Sequence, residues 1–206
     1  MGENKGGRSG YHHGDLENAL VGAAMELARE GGPEAVVLRE AARRVGVSAT
    51  AAYRHFADRA DLLAAVKAQA QQALADTMAA VVEELGGGPR ERFFALGRGY
   101  VRFAVEQPGL YRVAFCRIPQ THGFDAAGKG DRVPSFGMLV GLLDELQEAG
   151  VMRPGARQGA EVAAWATVHG LAMLILDGPL STLPDPARDA LVDGALTMVI
   201  EGLTVA

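Results

Sequence analysis

The chain's single cysteine, Cys116, is followed by His122 and Asp125, which supply the residue types of a nucleophile, a base and an orienting carboxylate. They straddle a segment, 117–132, loosened by Gly123, Gly128 and Gly130, and no nucleophile signature surrounds them. A lone cysteine serves more readily as a packed thiol. No catalytic residue is therefore assigned, and a helical enzyme stays only as an alternative. A redox response through Cys116, lost in Cys116→Ala, is another. His12 and His13 fail as zinc ligands, because neighbours on one backbone rarely converge on one ion and no cysteine or third histidine lies nearby. Neither a metal nor a cofactor is expected. Trp165 and His169 lie four apart, on one face of a helix. A satisfied core histidine and a ligand hydrogen bond both remain open for that pair.

More chemistry resides in Leu38 to Phe56, LREAARRVGVSATAAYRHF. A short amphipathic helix, a glycine turn and a second short helix describe a helix-turn-helix, about 37–56. A helix enters a major groove only where its outward side chains are small or hydrogen-bonding. Ala49, Thr50, Ala51, Tyr53 and Arg54 fit that face, and Ser48 stands beside them as the cap of the helix. Arg54 suits guanine or phosphate. Tyr53 and His55 suit phosphates, contacts that position without specifying. Arg39 and Arg59 are placed to clamp the flanking backbone, with Lys5 and Arg8 reaching from the N-terminal arm. A helix pair inside an unrelated helical protein, or a scaffold that never touches DNA, is the bland reading of the same pattern.

These side chains need elements to hold them. Residues 1–10 lack apolar anchors and are expected to form a mobile arm. A first helix runs from Asp15, with Leu16, Leu20, Ala23, Ala24 and Leu27 at helical spacing, and stops at Gly31-Gly32-Pro33. Helices over 38–45 and 49–55 follow, then a long one over 58–84 capped by Asp58. Gly86-Gly87-Gly88-Pro89 is the clearest punctuation after it. Further helices are expected over 90–106, 110–116, 134–149, 156–177 and 186–203, the last with Asp185 as its cap. There is no convincing strand. The expected fold is all-α, about nine helices: a three-helix domain carrying the helix-turn-helix (11–57), joined by a long fourth helix to a larger helical domain (58–206).

The formal charge of −5 divides unevenly. Residues 1–60 hold eight Lys/Arg and eight Asp/Glu, and residues 61–206 hold twelve and seventeen. A neutral N-terminal module holds phosphates only if its cations gather on one face. No run of ~20 uncharged apolar residues spans a membrane, and the polar opening lacks the apolar core of a secretory signal. One cysteine, with no partner for an internal disulfide, fits a reducing cytoplasm.

Residues 11–63 resemble the DNA-binding domain of the TetR family of regulators, on YHHGDLENAL, LREAARRVGVSATAAYRHF and DRADLL. The resemblance implies phosphate contacts by Tyr53, His55 and Arg59, and base contacts by positions 49–51 and 54. Val37 departs from it, since such proteins place Ser or Thr there to cap the second helix. PGLYRVAF (108–115) resembles the segment between the fifth and sixth helices of these regulators. WATVHG (165–170) resembles a subfamily whose C-terminal domain is named for Trp, His and Gly. The implied protein is a homodimer that binds a pseudo-palindromic double-stranded operator and releases it on meeting a small, largely hydrophobic effector.

An effector site should be concave and mainly apolar with a few polar groups. Candidate linings are Phe93, Phe94, Tyr100, Phe103, Tyr111, Phe115, Cys116, Phe136, Met138, Trp165, His169 and Met173. Each is equally a plain core residue. Two closing helices rich in apolar residues suit a four-helix dimer interface, with Val162, Ala166 and Leu174 on one and Leu191, Ala195, Met198 and Val199 on the other. A purely internal core is the competing account.

Overall fold

Leu20, Ala24, Leu27 and Ala28 fall at helical spacing along α1 (His13–Ala35). All four are buried in the computed structural model, which describes residues 13–118 and 133–205, with side chains from Leu16 onward. The arm residues Lys5 and Arg8, and His122 and Asp125, lie outside the described residues. The expected stop appears inside α1. Gly31 and Gly32 leave helical dihedrals, Gly32 at φ 67°, before a last turn through Ala35.

α2 (Leu38–Val45) buries Leu38, Ala41 and Ala42. No side chain caps its start, as expected from Val37. Gly46 at φ 79° ends it in the left-handed region, and the Val47 N–H then donates to the Ala42 carbonyl at 3.0 Å. α3 (Ala49–Ala52) is shorter than the expected 49–55. The Arg54 and His55 N–H groups donate to carbonyls three residues back, tightening the chain toward the buried Phe56. Ser48 caps α3, its Oγ accepting from the Ala51 N–H at 3.2 Å. α4 (Arg59–Leu85) opens on a reciprocal cap. Asp58 accepts from the Asp61 N–H at 3.0 Å, and Asp61 accepts from the Ala57 N–H at 3.0 Å.

α5 (Pro89–Glu106), α6 (Pro108–Phe115), α7 (Pro134–Glu148), α8 (Ala160–Leu176) and α9 (Asp185–Leu203) complete the described chain. The only β-pairing among the described residues is one antiparallel bridge, Met152 to Thr204. Two expectations are corrected. α8 begins at Ala160 instead of 156, because Gly155 and Gly159 both sit at φ 78° and keep the preceding stretch uncoiled. Asp185 does not cap α9; its carboxylate pairs with Arg188 at 2.8 Å.

α4 packs along α5, while α6 lies against both α1 and α4. One hydrophobic core runs from Leu20 and Phe56 in the N-terminal helices through Leu74 and Tyr100 to Leu196 and Ile200. The N-terminal helices are therefore joined to the rest by packing as well as by the covalent continuity of α4.

Candidate functional site

In the helix-turn-helix, Ala52 of α3 and Phe56 just beyond it are buried, and the side chains around them are partly or fully exposed. Ser48, Thr50, Tyr53 and Arg54 are exposed, Tyr53 at 47%, while Ala49 and Ala51 are half-buried. The small residues keep the surface low between Thr50 and Arg54, which is what close approach to base edges requires.

Ion pairs sort the cations of this module. Arg44 takes Glu30 of α1 through two bonds, at 2.8 and 2.6 Å. Arg43 takes Glu40, and its hydrogen bond, helped by Arg44, holds the Glu40 carboxyl down at about 2. Arg29 pairs with Glu26. Among the described residues no carboxylate pairs with Arg39 or Arg54, and both are exposed. A balance of zero thus conceals two cations without a carboxylate partner, Arg39 in α2 and Arg54 just after α3.

Two residues expected to contact phosphate are engaged by other parts of the same module. Arg59 donates to the Val36 carbonyl at 2.8 Å and to the Pro33 carbonyl, tying the start of α4 to the α1–α2 corner. It also lies 3.7 Å from Glu34. The His55 side chain is only 8% exposed and lies 3.7 Å from Glu17 of α1.

The second site is a polar knot in an aromatic core, built by α5, α6, α7 and α8. His169 Nδ1 lies 2.9 Å from Tyr100 Oη and 2.8 Å from Tyr111 Oη. The Trp165 indole N–H donates to Tyr100 Oη at 3.4 Å. Phe115 packs on the His169 ring at 4.9 Å between centroids, and Phe136 on Trp165 at 6.0 Å. Burial pushes the Tyr100 hydroxyl up to about 12 and raises that of Tyr111. The same burial lowers His169, so the imidazole is held neutral.

The sequence-derived lining therefore divides. Tyr100, Tyr111, Phe115, Trp165 and His169 come together, with Phe136. Phe93 and Phe103 are buried in the core, and no ring contact among the described residues joins them to the knot. Met138 packs part-buried against the core. Cys116 is half-buried with its thiol pushed up by burial, and its carbonyl accepts from Lys67 Nζ at 2.7 Å. Met173 is corrected outright: it is exposed on the outside of α8, beside Leu174.

Comparison with known proteins decides what these two sites belong to. Residues 93–199, more than half of the chain, match the family of tetracyclin repressor-like C-terminal domains. Residues 20–66 match that of bacterial regulatory proteins of the tetR family. The chain belongs to the TetR family of transcription regulators. A relative in Mycobacterium tuberculosis, described as an uncharacterized HTH-type transcriptional regulator, is 29% identical over 192 residues, covering 91% of this chain and 76% of its own. A Rhodococcus structure of unknown function is 31% identical, with a TM-score of 0.76 over 96% of this chain and all of its own. A TetR family regulator from Marinobacter aquaeolei shares the fold at 18% identity, with a TM-score of 0.66 over 93% of this chain and 96% of its own.

In this TetR regulator α6 links the knot to α1, the first helix of the N-terminal module. Its near end carries Gly109, where an added Cβ would stand 2.1 Å from the Ala28 carbonyl oxygen and 2.8 Å from that of Arg29, so only glycine permits the contact with α1. Its far end is held by α4: Gln71 donates to the Ala114 carbonyl at 3.1 Å, beside the Lys67 bond to Cys116. Between those ends α6 supplies Tyr111 and Phe115 to the knot. Lys67 and Gln71, four apart on α4, were not singled out from sequence. Two polar residues at one-turn spacing in an alanine-rich helix are the signal that would have found them.

The outer face of α8 and α9 leaves apolar side chains uncovered. Val162, Ala166, Met173 and Leu174 are exposed on α8, and Met198 is 75% exposed on α9. Leu191, Ala195 and Val199 are half-buried beside them. No helix of the described residues is long and apolar enough to cross a membrane.

Proposed function

We propose that this DNA-binding transcription regulator is a homodimer whose two α3 helices read the half-sites of a pseudo-palindromic operator. An effector held at the Tyr100–Tyr111–His169 knot releases it. The observation that carries the DNA reading is the outward set Thr50, Tyr53 and Arg54, flanked by Arg39 and set among cations already paired. Half-sites lie about 34–36 Å apart, or a multiple, for a two-fold dimer. The uncovered face of α8 and α9 has the continuity and apolar character of a four-helix interface. Such work belongs in the cytoplasm. The raised thiol of Cys116 does not favour a redox trigger, since the thiolate is the reactive form.

Release follows from the position of α6. An effector that displaces Tyr111 or Phe115 shifts α6, which bears on the end of α1 and on α4, and so re-aims α3. The ligand acts by its different affinity for the two arrangements, typically 1–3 kcal/mol of coupling. By reciprocity, operator DNA weakens effector binding by the same factor.

Fluorescence anisotropy with DNA from upstream of the protein's own gene, at several salt concentrations, tests the reading. Tyr53→Ala is expected to weaken binding to every sequence. Arg54→Ala is expected to cost about 1–3 kcal/mol and to relax selectivity at one position. Weak binding, equal for unrelated DNA and unchanged in both variants, in a selection from random sequences as well, counts against the proposal.

A further inference from the structure

The hydrogens of the knot do not balance. A neutral imidazole nitrogen has one lone pair, so Nδ1 of His169 accepts well from one phenol at a time. Tyr100 Oη and Tyr111 Oη both approach it, at 2.9 and 2.8 Å, while 3.4 Å separates the two oxygens from each other. That last distance exceeds a good O–H···O bond. If Nδ1 instead carries the hydrogen, it donates to the phenols and both O–H groups must turn elsewhere. The Trp165 N–H adds another donor and no acceptor. In either tautomer at least one phenolic hydrogen lacks a well-placed acceptor among the described residues. A buried donor left in that state is costly.

We infer that the knot is the recognition end of the effector site and takes an apolar molecule bearing a hydrogen-bond-accepting oxygen, a carbonyl or a carboxylate. The inference rests on the regulator reading only in calling that molecule the effector. Tyr100 and Tyr111 present donors that stay protonated at any ordinary pH, because burial disfavours their ionised forms. Phe115, Phe136 and Trp165, each partly exposed, supply the apolar walls. An ammonium group has no lone pair to offer the surplus hydrogen. It would find aromatic faces but no carboxylate bonded to the knot among the described residues.

Four probes of one size separate these cases: benzylacetone, phenylbutyrate, butylbenzene and phenylbutylammonium. Trp165 is the protein's one tryptophan and donates into the knot, so its fluorescence reports occupancy, with calorimetry alongside. Benzylacetone and phenylbutyrate are expected to bind about three- to ten-fold more tightly than butylbenzene, the worth of one net hydrogen bond. A larger gain for phenylbutyrate marks a carboxylate site, and an equal gain marks a carbonyl site. Phenylbutylammonium is expected to bind worst. Tyr100→Phe and Tyr111→Phe keep the rings. Combined, they are expected to bring benzylacetone down to the affinity of butylbenzene. Equal binding of all four, no binding of any, strongest binding of phenylbutylammonium, or a preference that survives the double substitution each overturns the inference. Operator binding by the same wild-type preparation is measured in parallel. Intact operator binding without an oxygen preference refutes this inference and leaves the regulator reading standing; the reverse pattern does the opposite.

Discussion

Replacing Gly109 with alanine tests the joint between the two halves. The new Cβ would lie 2.1 Å from the Ala28 carbonyl oxygen, against the 3.0 Å below which real Cβ contacts essentially do not occur. The start of α6 must therefore withdraw by 3.0 − 2.1, or about 0.9 Å. The obstructing atoms belong to the backbone of α1 and cannot swing aside as a side-chain tip would. The movement passes to Leu110, Tyr111, Val113 and Ala114, all buried. Overpacking of a well-filled core costs about 1–3 kcal/mol, and loss of glycine's freedom in the unfolded chain returns roughly 0.4–1 kcal/mol. The net expectation is a loss of about 1–2 kcal/mol in urea unfolding followed by circular dichroism at one fixed protein concentration. Weaker operator binding should accompany it, because the strained contact is the one that orients α1. Gly141→Ala is the control: the residue is exposed within α7 and a Cβ there meets nothing within 4 Å, so stability should hold or rise. Gly109→Ala with wild-type stability to within about 0.5 kcal/mol, or Gly141→Ala equally damaging, would refute the reasoning.

Val37→Ser supplies the missing cap of α2 and should raise stability by about 1 kcal/mol; a fall would mean that Val37 contributes packing worth more than a cap. Met198→Glu places a charge on the uncovered face of α9, and sedimentation is expected to show a dimer for the wild type and a monomer for the variant. A variant that stays dimeric moves the interface elsewhere. The lowered His169 sets a pH dependence whose sign is definite. The unfolded state takes up the proton first, near the ordinary value of 6.5, so stability is full above that pH and is lost as pH falls below it. The acid-side slope of the urea midpoint should be smaller in His169→Gln, and an unchanged slope would show that other groups set it.

Most of the architecture was legible because it depends on local rules. Apolar spacing along α1 marked a helix whose Leu20, Ala24 and Leu27 are buried as expected, and caps with glycine and proline punctuation marked α4 and α5. Gly46, Ser48 and Asp58 act where their conformational freedom or capping oxygens predicted. The exposed set Thr50, Tyr53 and Arg54 was legible for the same reason, since Ala52 and Phe56 inward, one turn apart, leave little choice for the residues around them. Misjudged boundaries fell where glycines took left-handed dihedrals, at Gly155 and Gly159, and at Asp185, whose carboxylate found Arg188.

Pairings across the chain were not legible, because they join residues whose separation in sequence carries no periodicity. Glu30 and Arg44 neutralise one another only once α1 and α2 cross, and so leave Arg39 and Arg54 as the available cations of a module with no net charge. His55 and Arg59, outward by motif, are drawn to Glu17 and to the Val36 and Pro33 carbonyls by tertiary proximity. Met173 and His169 are separated by a single helical turn, yet one faces out beside Leu174 and the other in toward two tyrosines. The hydrophobic pattern of α8, apolar nearly all round, cannot rank its own faces. Local chemistry along the chain settled the helices, most of their ends and which side chains around α3 face outward. Packing alone settled which of two apolar faces meets Tyr100 and Tyr111 and which stays uncovered, because burial is a property of the neighbours a side chain acquires.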